Sequence, residues 1–321
     1  MSHEAPVPNE SYTLSKIALL YYVEDLNQRE IAERMNMSIA AVSRAITRAR
    51  ERGLVEIRIH SPEQTYPGLE REIEKRYGLR DCIVVPTLGE VQATYRSMAR
   101  AVETLFVRHL PQKGLLGVSW GETLKAVGDE IRTVNRLAVD TVPILGGMGT
   151  IETGIYPNTI ARRLAERLGG NSFLVNTPAI VDDRATRDAL LSDSNFQSVA
   201  EKWRHLRGVV LSVSAIDPDA SAFRHGVLSA ADRQILARDG VRCMTNFVFL
   251  DAQGDRVTNE VSDRLIHCPL DTFVQVPVRL IVAGGPKKAE ALRVALRAGI
   301  PNLLVVDEEL AGVLLEERAS S

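Results

Sequence analysis

Cysteine, histidine and aromatic residues are scarce in this chain of 321 residues, and each shortage excludes a class of protein. The three cysteines, Cys82, Cys243 and Cys268, lie far apart with no CxxC pair. Neither a disulfide framework nor a thiolate metal site is supported, and all three read as small buried core residues. The six histidines are scattered, with no HxH or HExxH spacing to place two on one helical face, so no metal centre is expected. No apolar run approaches the roughly 20 residues that span a bilayer. The N-terminal MSHEAPVPNESYTL has neither the basic start nor the apolar stretch of a secretion signal, so the expectation is a cytoplasmic protein with no membrane partner. What remains, at 45% hydrophobic and 25% charged residues with net charge -2, is an ordinary globular composition. Its length suits one large domain and one small one.

Overall neutrality hides a basic stretch. Residues 43–52, SRAITRARER, hold Arg44, Arg48, Arg50 and Arg52 against the single acid Glu51. A polyanion-binding surface therefore belongs near the N-terminus. Apolar periodicity predicts three short helices there, over Leu14–Val23, Gln28–Met35 and Ile39–Arg52. Asn27 and Ser38 stand at the N-cap positions of the second and third, where a side-chain oxygen can accept from the free first-turn amides. Between those helices Asn36 tolerates the left-handed conformation that a helix-turn-helix turn demands. Ile31, Ala32, Met35, Met37, Val42 and Ile46 form one apolar cluster, and the small Ala32 lets the helices approach closely. Gly53 ends the third helix, and LVEIRIH (Leu54 to His60) alternates with the period of a half-buried strand. Together these predict a winged helix-turn-helix, the architecture that reads duplex DNA. The expected DNA-facing residues are Gln28, Ser38, Ser43, Arg44, Thr47 and Arg48.

Residues 61–80 begin with two prolines and a glycine and run into a charged amphipathic helix, which reads as a linker. Beyond it, β-branched runs alternate with helical patterns: strands at Cys82–Pro86, Leu115–Trp120, Val139–Leu145, Phe173–Asn176, Gly208–Val213, Arg279–Gly285 and Leu303–Asp307, with helices over Gln92–His109, Thr123–Arg132, Thr159–Leu168 and Lys287–Ala298. Continuous apolar strands with crossover helices imply an α/β domain with a Rossmann-like, mostly parallel sheet. The expected organisation is 1–60 winged helix-turn-helix, 61–80 linker and connecting helix, and 81–321 effector-binding and oligomerisation domain.

In such sheets ligands bind beyond the carboxyl ends of the strands. Three strand ends carry suitable groups. SWGET offers the hydroxyls of Ser119 and Thr123, with Gly121 allowing close backbone approach at a helix N-terminus. LGGMGT places Gly146, Gly147 and Gly149 after a strand. AGGPKK places Gly284 and Gly285 before Lys287 and Lys288. A phosphate held by backbone amides and a lysine is the simplest ligand for this set. Neither glycine cluster fits GxGxxG, since Glu152 stands where a third glycine would follow Gly147 and Gly149, so a nicotinamide dinucleotide is disfavoured.

The chain resembles the SorC family of bacterial transcriptional regulators, within the DeoR-like sugar-sensing repressors. The resemblance spans nearly the whole length and rests on YYVEDLNQREIAERMNMSIAAVSRAITRARERGLVEIRI, GVSWGETL, PILGGMG, RDALLSDSNFQSV and VAGGPKKAEALRVALRAGIPNLLVVDEELAGVLL. It implies an effector domain related to sugar-phosphate isomerases and deaminases, a phosphorylated sugar or sugar derivative as effector, operator DNA as partner, and a dimer or tetramer. It also implies a phosphate cradle formed by Gly121, Glu122, Thr123 and Lys288. Two departures stand out. Family members often carry an acid in the segment that here reads GVRCMTN, where this chain has Cys243 and Met244. The family's recognition helix often opens with Ser-Arg, where this chain has Ser38–Ile39.

The expected function is an effector-responsive DNA-binding regulator, most simply a repressor, without cofactor or catalysis. Two other readings stand beside it: a sugar-phosphate isomerase or deaminase carrying a basic head, with Asp182, Asp183, Asp217 and Asp255 as candidate acid–base groups, and an NAD-sensing redox regulator.

Overall fold

The computed structural model describes residues 10–55, 65–134, 137–147 and 155–316. The chain divides into two units, Met1–Ser61 and Pro62–Ser321.

The first unit is a helix-turn-helix built from α1 (Glu10–Tyr22), α2 (Gln28–Met35) and α3 (Ile39–Glu51). Its local structure follows from its caps. Asn27 accepts from the amides of Arg29 and Glu30, while Glu30 accepts from the Asn27 amide, so a complete capping box starts α2. Asn36 stops α2 in the left-handed conformation, at φ 52° and ψ 50°. Ser38 then caps α3 by accepting from the Ala41 amide. Leu14, Ile17, Leu20, Ile31, Ala32, Val42, Ile46 and Ala49 close into one buried cluster, with Met35 and Met37 against it. The expected wing strand falls almost wholly at 56–60, outside the described residues.

The second unit opens with α4 (Pro67–Tyr77), β1 (Asp81–Val85), α5 (Val91–His109), β2 (Lys113–Val118), α6 (Glu122–Glu130) and β3 (Ala138–Pro143). It continues through α7 (Pro157–Leu168), β4 (Gly169–Ser172), α8 (Arg184–Ser192), α9 (Ser194–Trp203) and β5 (Gly208–Leu211). Then come α10 (Ser221–Arg224), α11 (Ala230–Arg238), β6 (Cys243–Thr245) and β7 (Val248–Leu250). The last elements are α12 (Leu270–Phe273), β8 (Val278–Ala283), α13 (Ala289–Arg297), β9 (Leu303–Asp307) and α14 (Glu308–Leu315). Seven strands form one parallel sheet in the order β1-β9-β8-β5-β2-β3-β4, while β6 and β7 pair as a separate antiparallel hairpin. The inner strands are apolar on both faces because helices cover both: β5 and β9 are buried at every position.

The fourth strand differs from the sequence expectation. It occupies Gly169–Ser172 rather than Phe173–Asn176. Gly169, at φ 69°, ends α7 in the left-handed conformation and turns the chain directly onto β3. Gly170 then lies so close that a Cβ there would sit 2.1 Å from the Val139 carbonyl oxygen. Backbone proximity, available only to glycine, therefore outweighs the apolar pattern of the next four residues.

The edge strand β1 is closed by α4. Glu74 accepts from the Cys82 amide at 2.9 Å and Glu70 from the Val84 amide at 3.0 Å. Four helical residues rise roughly 6 Å and two strand residues roughly 6.6 Å, so an i,i+4 carboxylate pair matches alternate outward-facing amides of an edge strand. Burial pushes the Glu70 carboxyl up, partly offset by its hydrogen bond from Val84. The charged helix thus covers an edge that would otherwise offer free hydrogen-bonding groups to another chain.

Candidate effector cavity and DNA-facing helix

The strand order reverses between β2 and β5, and a cavity of about 230 Å³ opens at the carboxyl ends of these strands. This is the topological switch point, where an open α/β sheet leaves a crevice. Ser119 and Thr123 line it from the β2 end, Ser212 and Ser214 from the β5 end, and Gly284 and Lys288 from the β8 end. Gly121, at φ 117° and ψ 166°, adopts a conformation open essentially to glycine alone and starts α6 without a side-chain cap. The N-terminus of a nine-residue helix therefore opens on the cavity with its first-turn amides uncapped by any side chain.

Lys288 ends a short 3₁₀ turn, Pro286–Lys288, ahead of α13. Its Nζ donates to Thr123 Oγ1 at 2.7 Å and to Ser212 Oγ at 3.3 Å. Among the described residues it has no carboxylate within ion-pair distance. Burial lowers its pKa to about 8, against the opposing fields of Asp307 and Glu122. A cation enclosed with neutral partners beside a helix N-terminus is the electrostatic complement of a small anion.

Glu122 lines the same cavity, but its carboxylate is engaged on α10 and the residue after it: it accepts from Arg224 and lies 2.8 Å from His225 Nε2. Burial would raise its pKa, yet the hydrogen bonds from His225 and Arg224 prevail and hold it below the usual range. The acid predicted within the cradle thus ties α6 to α10, while its backbone remains at the helix N-terminus.

The opposite wall was not legible from local sequence signals. Asn246 and Phe247, at φ 49° and 59°, form the two-residue turn between β6 and β7. Such turns favour glycine at the second position, and a left-handed phenylalanine is strained by about 1–3 kcal/mol. Full burial of Phe247 against Trp120, with ring centroids 5.3 Å apart, contributes a similar amount and holds the turn. Asn246 accepts from Ser119 Oγ at 2.9 Å and donates to the Ile144 carbonyl at 3.2 Å. In the segment GVRCMTN, Cys243 is buried in the core, whereas Met244 lines the cavity. Tyr95, in the second turn of α5 and hydrogen-bonded to Thr123, also lines the cavity and carries no strand-end signal in the sequence.

Several sequence candidates fall elsewhere. Gly147 does not line the cavity: its amide donates to the Thr177 carbonyl and its carbonyl accepts from Ala179. Gly149 lies outside the described residues. Gly146 is fixed by packing, since a Cβ would sit 2.3 Å from the Pro178 carbonyl oxygen. Gly146→Ala is therefore expected to destabilise the second unit by about 1–3 kcal/mol or more, because a backbone oxygen cannot rotate away. A melting temperature indistinguishable from wild type would contradict this. Gly285 borders the cavity without lining it, and its amide is already donated to Asp307 at 2.7 Å. Of the four acids considered for catalysis only Asp217 lines the cavity, and Asp183 is the N-cap of α8.

On α3, at about 100° per residue, Ala40, Ser43, Arg44 and Thr47 lie opposite the buried Val42, Ile46 and Ala49. Arg44 has no ion pair among the described residues. Thr47 donates its hydroxyl to the Ser43 carbonyl, and Arg48 sits at the edge of the face with Nη1 on Glu10 at 3.0 Å. Arg52 reaches the same carboxylate at 3.1 Å. Gln28 is half-buried as the first residue of α2, and Ser38 is exposed with its hydroxyl on the α3 cap.

A helix-turn-helix followed in the chain by an α/β unit with a ligand cavity at its switch point defines an effector-responsive transcriptional regulator. The family described as "Putative sugar-binding domain" matches residues 65–316, and the family described as "Sigma-70, region 4" matches residues 15–52. The chain belongs to the first of these, in the SorC group of regulators. It is 25% identical over 302 residues to the deoxyribonucleoside regulator of Bacillus subtilis (strain 168), covering 94% of this chain and 96% of that one. It is 26% identical over 305 residues to the sorbitol operon regulator of Klebsiella pneumoniae, again covering 94% and 96%. The crystal structure of the full-length sorbitol operon regulator SorC from Klebsiella pneumoniae superposes with a TM-score of 0.73 at 25% identity, over 96% of this chain and 99% of that one.

Proposed function

We propose that this regulator is controlled by a phosphorylated sugar or sugar derivative, whose phosphate sits between the N-terminus of α6 and Lys288. The observation that carries this reading is the Lys288 ammonium, enclosed in the cavity with only hydroxyl partners. The amides at Gly121–Thr123 complete the cradle, and Ser119, Ser214 and Asn246 offer neutral hydrogen-bonding groups to the rest of the ligand. The names of the two relatives, a deoxyribonucleoside regulator and a sorbitol operon regulator, support a sugar-bearing effector.

Residues 1–60 serve as the DNA-binding domain, 61–80 as the connector and 81–321 as the effector and oligomerisation domain. Gln28, Ser38, Ser43, Arg44, Thr47 and Arg48 make up the operator-facing set, led by Arg44. The protein acts in the cytoplasm as a repressor released by its effector, and it performs no catalysis. It works as at least a dimer, because one helix-turn-helix spans too few base pairs for useful affinity. The outer face of α1, with Tyr12 and Leu19 at 60% and 50% exposure, and Val23 just after it at 75%, is a surface for that assembly.

A thermal-shift screen of sugars against their phosphates tests the reading, since a ligand that binds only the folded protein raises its apparent stability by mass action. The expected result is stabilisation by a phosphorylated compound and none by its free sugar, with no product formed. Turnover of a sugar phosphate, or stabilisation by the free sugar alone, would replace this reading.

A further inference from the structure

We propose that Asp307 is a positioning residue of the effector cavity, supporting from beneath both the Gly284–Gly285 turn and the Lys288 ammonium. This rests on the phosphate-cradle reading and adds to it a residue that touches no ligand.

Asp307 is the last residue of β9, only 4% exposed, and its two oxygens have separate tasks. Oδ1 accepts from the Leu310 amide at 2.9 Å and caps α14. Oδ2 accepts from the Gly285 amide at 2.7 Å, reaching across to the end of β8. The approach is close enough to dictate sequence on the other strand. A Cβ on Gly284 would lie 2.9 Å from Oδ2 and 2.7 Å from the Met98 methyl. The α14 cap alone needs no charge, since Asn and Ser cap as well as Asp, but only a carboxylate can accept from the Leu310 and Gly285 amides together. Yet this carboxylate is buried with no lysine or arginine within ion-pair distance among the described residues.

The charge acts on Lys288. Two carboxylates favour its protonated form, Asp307 from β9 and Glu122 from α6. Glu122 is already paired with the Arg224 guanidinium and hydrogen-bonded to His225. Its hydrogen-bond partners Thr123 and Ser212 carry no charge, nor does the Tyr95 phenol bonded to Thr123. Of the other charged groups lining the cavity, Lys287 pairs with Asp219 and Arg224 with Glu122, and Asp217 lines it as well. Asp307 is thus the carboxylate whose field is free to keep an enclosed ammonium charged, and its hydrogen bond to Gly285 sets the turn from which Lys288 projects.

Sulfate is the probe, because it presents a tetrahedral dianion whose charge is constant from pH 6 to pH 9. Calorimetric titrations of the full chain at constant ionic strength would compare wild type, Asp307→Asn, Lys288→Ala, Lys288→Arg and the double variant Lys288→Arg/Asp307→Asn. Wild-type affinity is expected to fall as pH rises past about 8, where Lys288 loses its proton. In Asp307→Asn the fall moves to lower pH. Because the asparagine amide can accept from Leu310 or Gly285 but not both, binding is already weaker than wild type at pH 6, and charge loss widens that deficit by roughly a further tenfold at pH 8. Arginine stays charged throughout, so Lys288→Arg and the double variant should both bind without the alkaline fall, which tests the charge argument in a second background. An Asp307→Asn profile parallel to wild type overturns the role of Asp307 alone. Sulfate binding that is equal in wild type and Lys288→Ala at pH 6 overturns the cradle and this inference with it.

Discussion

Replacing Lys288 with alanine is expected to weaken a phosphorylated effector roughly tenfold to a hundredfold, the effect of removing a charge-assisted hydrogen bond worth about 1.5–3 kcal/mol. The loss should be confined to the phosphate: the unphosphorylated compound, which never meets the ammonium as an ion, should change little. DNA affinity without effector should also be nearly unchanged. Lys288 contacts Thr123 and Ser212 within the second unit, and alanine leaves those hydroxyls facing the cavity. The wild-type pH profile carries the same signature. Because burial lowers the lysine to about 8, its contribution is complete well below that pH and declines above it, even though the phosphate remains dianionic. Titrations of both proteins with both compounds decide the matter, and equal losses for the two compounds would remove Lys288 from the cradle. The effector must also distinguish two states of the protein, since equal affinity for both shifts nothing. DNA must then change effector affinity by the same factor that effector changes DNA affinity.

Arg44→Ala is expected to reduce operator affinity by about 1–3 kcal/mol if Arg44 pairs with a guanine, with specificity relaxed at that base pair. If it contacts a phosphate instead, affinity should fall evenly across sequences and the slope of log K against log salt should decrease by about 0.9. Arg48→Ala should do less in either case, because Glu10 already holds that guanidinium. The Arg48 pair is roughly half exposed, so it is worth at most about 1 kcal/mol and directs the side chain without locking it. Anisotropy titrations at several salt concentrations separate these outcomes. An Arg44→Ala protein that folds and binds the operator as wild type does would exclude Arg44 from the interface.

Much of this protein was determined by local sequence alone. Asn27, Asn36 and Ser38 are cap and turn residues whose side chains satisfy their own neighbouring amides or tolerate left-handed backbone, so the helix-turn-helix was legible from 12 consecutive residues. The parallel sheet was legible because strands buried on both faces are apolar throughout, and Gly121 and Lys288 stood out at strand ends. Tertiary structure decided what depends on partners distant in the chain. It sorted the glycines: Gly146 and Gly170 serve close backbone packing, while Gly121 serves the cavity. It placed β4 four residues earlier than its apolar pattern, through contact with β3. It built the far wall from a strained Asn246–Phe247 turn packed on the distant Trp120, and it set Asp307 against the Gly285 amide of the turn that leads to Lys288. Capping and periodicity act over one or two turns of chain, whereas burial and charge act through space, so the ligand's surroundings emerge only when remote strand ends converge.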